Sequence, residues 1–214
     1  MRLWLEFGVV MLLGWAPNVV SHIVHWGQAP NPRNEGIWSP DLLGTHVQWL
    51  AMVGFVAFLL ASTGDLGRLD FRLPSRPDGR VALGLLALAV PGLILFLNHA
   101  GHLGYYDPIG PYGIATGTLG VVAVGVHLTA LYTGYSLIRL SELLGGRKRA
   151  LAATAILGAS AASLHPAVFG ALTLLLTLFG VFYFKFGRLG LPTLAYTMIL
   201  AISFAINVRL HSYG

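Results

Sequence analysis

The chain has 214 residues, 56% of them hydrophobic and only 10% charged, with a mean hydropathy of +0.73. A soluble domain carries about 25% charged residues; charge this sparse, with apolar runs near ~20 residues, is the signature of an all-α polytopic integral membrane protein. Cysteine is absent, which excludes disulfides, thiolate metal sites and Fe–S clusters. The net charge of +5 comes without a basic groove or interleaved aromatics, so no nucleic-acid partner is expected.

Residues 1–214 read as a single membrane domain, because no polar stretch is long enough to fold apart. The first predicted span covers roughly 3–26; Pro17 follows Ala16 where a cleavage site would need small residues, and the apolar run continues to His25, so the segment is read as retained. The second covers roughly 42–63 and the third roughly 81–104, with a kink expected at Pro91. Tyr105–Thr118 reads as a structured loop or short re-entrant piece, and the fourth span as roughly 119–140. The fifth, roughly 149–165, is short and Ala-rich and stops at His165-Pro166. The sixth covers roughly 167–186 and the seventh roughly 191–209. Residues 1–140 thus form a His-rich four-helix half and 141–214 a three-helix packing half.

Positive charge sets the orientation. Arg2, Arg68, Arg72, Arg76, Arg80, Arg139, Arg147, Lys148, Arg149, Lys185 and Arg188 fall on one side, 11 of the 13 basic residues, against Arg33 and Arg209 on the other. By the positive-inside rule, seven helices then run with the N-terminus inside and the C-terminus outside. Trp26, Trp38, Tyr105, Tyr106 and Tyr112 are expected at the outer interface, and Trp4, Tyr135 and Tyr183 at the inner one.

Six of the eight histidines lie in a pattern that occurs twice. His22-Ile23-Val24-His25-Trp26-Gly27 and His99-Ala100-Gly101-His102-Leu103-Gly104 share H-x-x-H-x-G, each near the end of an apolar run. Gly44-Thr45-His46-Val47 and Gly125-Val126-His127-Leu128 share G-x-H-[VL], each near the start of the next. This reads as a duplicated helical hairpin. At about 1.5 Å rise per residue, all six fall in the outer third of the membrane, with His127 about two turns into its span. Asn18, His22 and His25 make one helical stripe, and Asn98, His99 and His102 another. Ionisable side chains are costly in hydrocarbon and default to functional candidates. Any one of these histidines alone is more simply a helix–helix hydrogen-bond partner, and H-x-x-H alone is a weak motif; repetition and common depth carry the case. His165 reads equally as a loop residue or as the relic of a third hairpin, and His211 as interfacial.

Neutral imidazole binds Fe, Cu and Zn. No carboxylate shares this depth, which disfavours a carboxylate-bridged di-iron site. The first choice is haem b with His46 and His127 as axial ligands, and His22, His25, His99 and His102 completing a second site or metal centre. Gly54, Gly92, Gly101, Gly117, Gly120 and Gly125 would admit the macrocycle, and Arg33 would meet a propionate. The alternative is copper or zinc held by histidines from this set, for metal delivery or an oxidase-type centre; a third reading is a non-catalytic structural subunit. G-x-S-x-G, H-E-x-x-H and P-loop motifs are absent. The Gly faces of spans four and five (Gly113, Gly117, Gly120, Gly158) are packing surfaces before they are cofactor walls, and Arg68–Arg72 is a topology and headgroup loop. The function expected is an electron-transfer subunit of a quinol-linked respiratory complex. It would sit in a prokaryotic-type inner or plasma membrane, with other membrane subunits and an outer-side redox partner.

Overall fold

The computed structural model of the chain describes residues 2–15, 43–75, 79, 110–162 and 166–211. Their regular structure is all helical: α1 Arg2–Gly14, α2 Leu43–Ser62 and α3 Gly110–Leu128, then a π-helical segment Thr129–Tyr135 that runs straight into α4 Ser136–Leu143. There follow α5 Arg147–Ala162, α6 Pro166–Phe186 and α7 Gly190–His211. Two helical stretches, Thr118–Leu143 and Val168–Phe186, are long and apolar enough to cross a membrane. The rest of the first predicted span, the predicted third span with Pro91, and His22, His25, His99, His102 and His165 lie outside the described residues.

Local chemistry explains the helix ends. Gly64, with φ +80, follows α2; its N–H bonds Ala61 O at 3.1 Å while that of Asp65 bonds Leu60 O at 2.7 Å, the paired bonds of a Schellman cap. Gly187, with φ +65, ends α6 through a single N–H bond to Tyr183 O at 2.7 Å. α6 begins on Pro166, whose missing N–H is an orphan in the first turn anyway. The same tolerance corrects the expectation for 105–118: α3 starts at Gly110, with Pro111 in its first turn, rather than near 119.

The continuous helix Gly110–Leu143 is the pillar of the bundle, and its Thr118–Leu143 part is mostly buried. α2 and α7 pack on α3, α1 and α5 on α4, and α2, α5, α6 and α7 all reach the π segment. One core cluster joins Phe7, Val10, Val56, Leu60, Leu131 and Tyr135 and takes in Ala150, Tyr183 and Leu189; a second joins Ala155, Ala159, Leu176, Phe179, Ala195 and Tyr196. Small residues set the spacing. A Cβ on Gly125 would stand 2.5 Å from Thr197 Oγ1, and one on Gly158 would stand 2.7 Å from Leu176 Cδ1. The outward faces stay apolar: Leu5, Leu12, Phe58 and Leu174 are exposed.

Candidate functional site

His127 lies on α3, two residues before the π segment, and is only 3% exposed. Its ring is 6.3 Å from that of Trp49 on α2, at a tilt of 31°. The imidazole hydrogen-bonds the Trp49 backbone, while Nδ1 has no partner among the described residues, so the bond belongs to Nε2. Burying a ring nitrogen without a hydrogen bond costs about 1–3 kcal/mol. A ligating histidine has this same form: one nitrogen tied to a backbone carbonyl, the other presenting its lone pair.

The backbone around His127 is unusual in the same place. Thr129 Oγ1 donates to Gly125 O at 2.8 Å, and Ser136 Oγ donates to Leu131 O, five residues back, also at 2.8 Å. These hydroxyls serve carbonyls across the widened π turns, which commonly mark functional sites when they interrupt an α-helix. Thr133 Oγ1, in the same segment, is buried without a partner.

His46 stands on α2 three residues before Trp49, about 4.5 Å along the axis and on the same face. His127 is midway along the continuous helix from Gly110 and nine residues, about two and a half turns, into the apolar stretch Thr118–Leu143, close to the expected two turns. One expectation changes. Gly125 does not open space for a macrocycle, because Thr197 of α7 fills it; Gly158 packs against Leu176 and Tyr132 in the same manner, as a small-residue packing face should. Among the described residues, no three His, Asp or Glu side chains converge on a metal site. Of the predicted ligands, His127 is the one whose side chain they include.

A second polar centre occupies the end of the bundle where α2 and α4 finish. Arg139 is 1% exposed, yet each of its three nitrogens is paired: Nε donates to Glu6 at 2.9 Å, Nη1 to Asp65 at 3.0 Å and Glu142 at 3.2 Å, and Nη2 to Thr63 Oγ1 at 2.9 Å. Arg68 bonds Asp65 and Glu142 from outside at 3.2 and 3.0 Å. Burial pushes the Asp65 carboxyl up, but hydrogen bonds from Arg68, Thr63 and Arg139 outweigh it and hold the group below its usual value. Tyr135 donates its hydroxyl to Glu6 at 3.2 Å, and Tyr183 donates to Arg68 O at 3.1 Å. Both rings are buried against neighbouring helices, with their hydroxyls turned to this charged end. Arg139 is not a loop cation: it is an interior arginine tying α1, the α2 cap and α4 together.

Comparison with family models, with curated proteins and with solved structures finds no match.

Beyond Arg68, the chain turns at Asp70, which Arg72 grips at 2.8 to 3.1 Å. The Arg72 hydrogen bonds lower the Asp70 carboxyl to about 2. Leu189 N–H bonds Asp70 O at 2.6 Å, which fastens this loop to the start of α7.

Proposed function

We propose that this chain is a multi-pass membrane protein with a histidine-ligated cofactor, serving electron transfer as one subunit of a quinol-linked membrane complex. The observation that carries the reading is His127: a buried imidazole on the pillar helix, with Nε2 anchored to a backbone carbonyl and Nδ1 unpartnered. Exposed apolar side chains along α1, α2 and α6 support a lipid surround, since soluble monomers rarely expose contiguous apolar patches of more than a few hundred Å². The charge pattern assigns the Arg139 end to the inner side, and the seven-span, N-in and C-out arrangement belongs to this proposal.

The cofactor is b-type haem or a histidine-bound copper or zinc ion. Tight α2–α3 packing favours the ion for the pair His46 and His127. With the Trp49 and His127 rings 6.3 Å apart and Gly125 closed by Thr197, a macrocycle between those two histidines has to displace Trp49. A single ion needs no such gap. When bound, the group would supply one-electron chemistry for haem or copper, and structural or Lewis-acid chemistry for zinc. The chain's own part is to hold the imidazole in one tautomer and exclude water.

The test is an oxidised and dithionite-reduced absorption spectrum of the detergent-purified protein, with metal analysis of the same sample. Stoichiometric iron with a sharp reduced α-band supports haem; stoichiometric copper or zinc without it supports the ion. His127→Ala should lose the cofactor in either case. Full cofactor retention in folded His127→Ala protein would sink the proposal.

A further inference from the structure

A cleft of about 190 Å³ lies between the segment after Arg72 and the end of α6, lined by Pro74, Ser75, Lys185, Phe186 and Arg188. That is several times the ~30 Å³ share of one water. Among the described residues its charge is one-sided: Lys185 and Arg188 line it, Arg72 lies beside it, and Asp70 is the carboxylate that pairs with Arg72 and Arg188, three cations to one anion. Asp70 is largely committed to Arg72 at 2.8 Å, with Arg188 at 3.7 Å. Arg188 is held in place, its Nη1 donating to Leu73 O at 2.7 Å. Lys185 lies over the Phe186 ring at 5.1 Å and pairs with no carboxylate among the described residues.

We propose that this cleft binds a phosphate group, and that the phosphate is the headgroup of an anionic phospholipid. A held guanidinium, an exposed ammonium and the Ser75 hydroxyl are the donors that recognise phosphate oxygens. The cations also outweigh the partial negative charge of the α6 C-terminus. The lipid source follows from the helix leading into the cleft. Leu174, Leu178, Val181 and Lys185 stand at i, i+4, i+7 and i+11, one stripe of α6, with Leu174 75% and Val181 45% exposed. Acyl chains lying along that stripe bring their phosphate to Lys185. The inference takes the membrane reading as its setting but does not use His127.

Native mass spectrometry of the full chain in detergent tests it, with phosphatidylglycerol and phosphatidylcholine of identical acyl chains as probes. The wild type should retain phosphatidylglycerol at about fivefold lower lipid concentration, the effect of one basic residue near an anionic headgroup. Lys185→Gln should lose that preference, and Lys185→Arg should keep it. Lys185 is exposed, so both variants should fold. Equal retention of the two lipids by the wild type, or an unchanged preference in Lys185→Gln, overturns the site. Displacement of the lipid by inorganic phosphate at equal concentration overturns the lipid source. A chain that stays monodisperse without detergent overturns the membrane reading separately, before any lipid is added.

Discussion

Arg139 is the residue on which the described structure most visibly depends. Removing one partner from a buried ion pair costs about 3–5 kcal/mol, because the remaining charge is left uncompensated. Arg139→Ala would leave the Glu6 carboxylate without its cation and Asp65 and Glu142 sharing Arg68 alone, and should sharply lower the thermal midpoint of the detergent-solubilised protein. Pairing it with Glu6→Gln should return part of the loss; strictly additive losses would show that the two side chains are not coupled. Sequence reading placed Arg139 among the loop cations because its partners Glu6 and Asp65 lie 133 and 74 positions away. Only Glu142, one turn on, gave a local sign of pairing. His127 was legible for the opposite reason: a histidine in so apolar a run has to be explained wherever it lies. Its unpartnered Nδ1 was not, since that depends on Trp49 from another helix. Asp70 yields a pH prediction. Its folded value of about 2 lies below the ordinary 3.8, so its contribution is complete above about pH 4 and is lost as pH falls through about 2. Hydrogen exchange at the Leu189 amide, corrected for intrinsic rate, should speed up across that window. In Asp70→Asn it should be fast already at neutral pH.

Helix ends and helix contacts separate two uses of glycine. Gly64 has open space around its Cβ position but a positive φ, so Gly64→Ala should cost the conformational ~1–2 kcal/mol alone. Gly125 has ordinary helical geometry but no space. Gly125→Ala should cost about 1–3 kcal/mol by overpacking and be relieved by Thr197→Ala, which removes the opposing hydroxyl. Thermal denaturation of the three single variants and the double variant decides between these accounts. Helix positions were mostly readable from the sequence, since runs of apolar residues broken by glycine, proline and charge mark α2, α5, α6 and α7 directly. The early start of α3 was not, because Gly110-Pro111 resembles loop chemistry until proline's tolerance in a first turn is allowed for. The π segment had no sequence signature: Thr129–Tyr135 has the composition of any small-residue apolar helix, and its register is set by packing from four sides.

At the scale of the whole molecule, charges that the sequence reading assigned to one side form a connected layer among the described residues. The 63–75 loop, the last turns of α4 and the 187–189 turn are tied by Arg139, Arg68, Asp70 and Arg188. The charge pattern pointed to that end, but not to the pairing within it, which needs three-dimensional neighbours. Topology itself is open to direct test, since the chain has no cysteine and any introduced one is unique. A cysteine at Ser75 should react with an impermeant maleimide only from the inner face of sealed, oriented vesicles; labelling from outside would reverse the assignment. The π segment has a consequence of another kind. It works as a phase setting between two halves of one rod. A π segment takes up one residue more than an α-helix does over the same arc, so relaxing 129–135 to α geometry at unchanged length would turn His127 by about 100° relative to Arg139, and deleting one of these residues would restore the phase. The charged layer clamps one end and the cofactor candidate rides on the other. Whether these seven residues hold π or α geometry therefore decides which neighbour the imidazole faces.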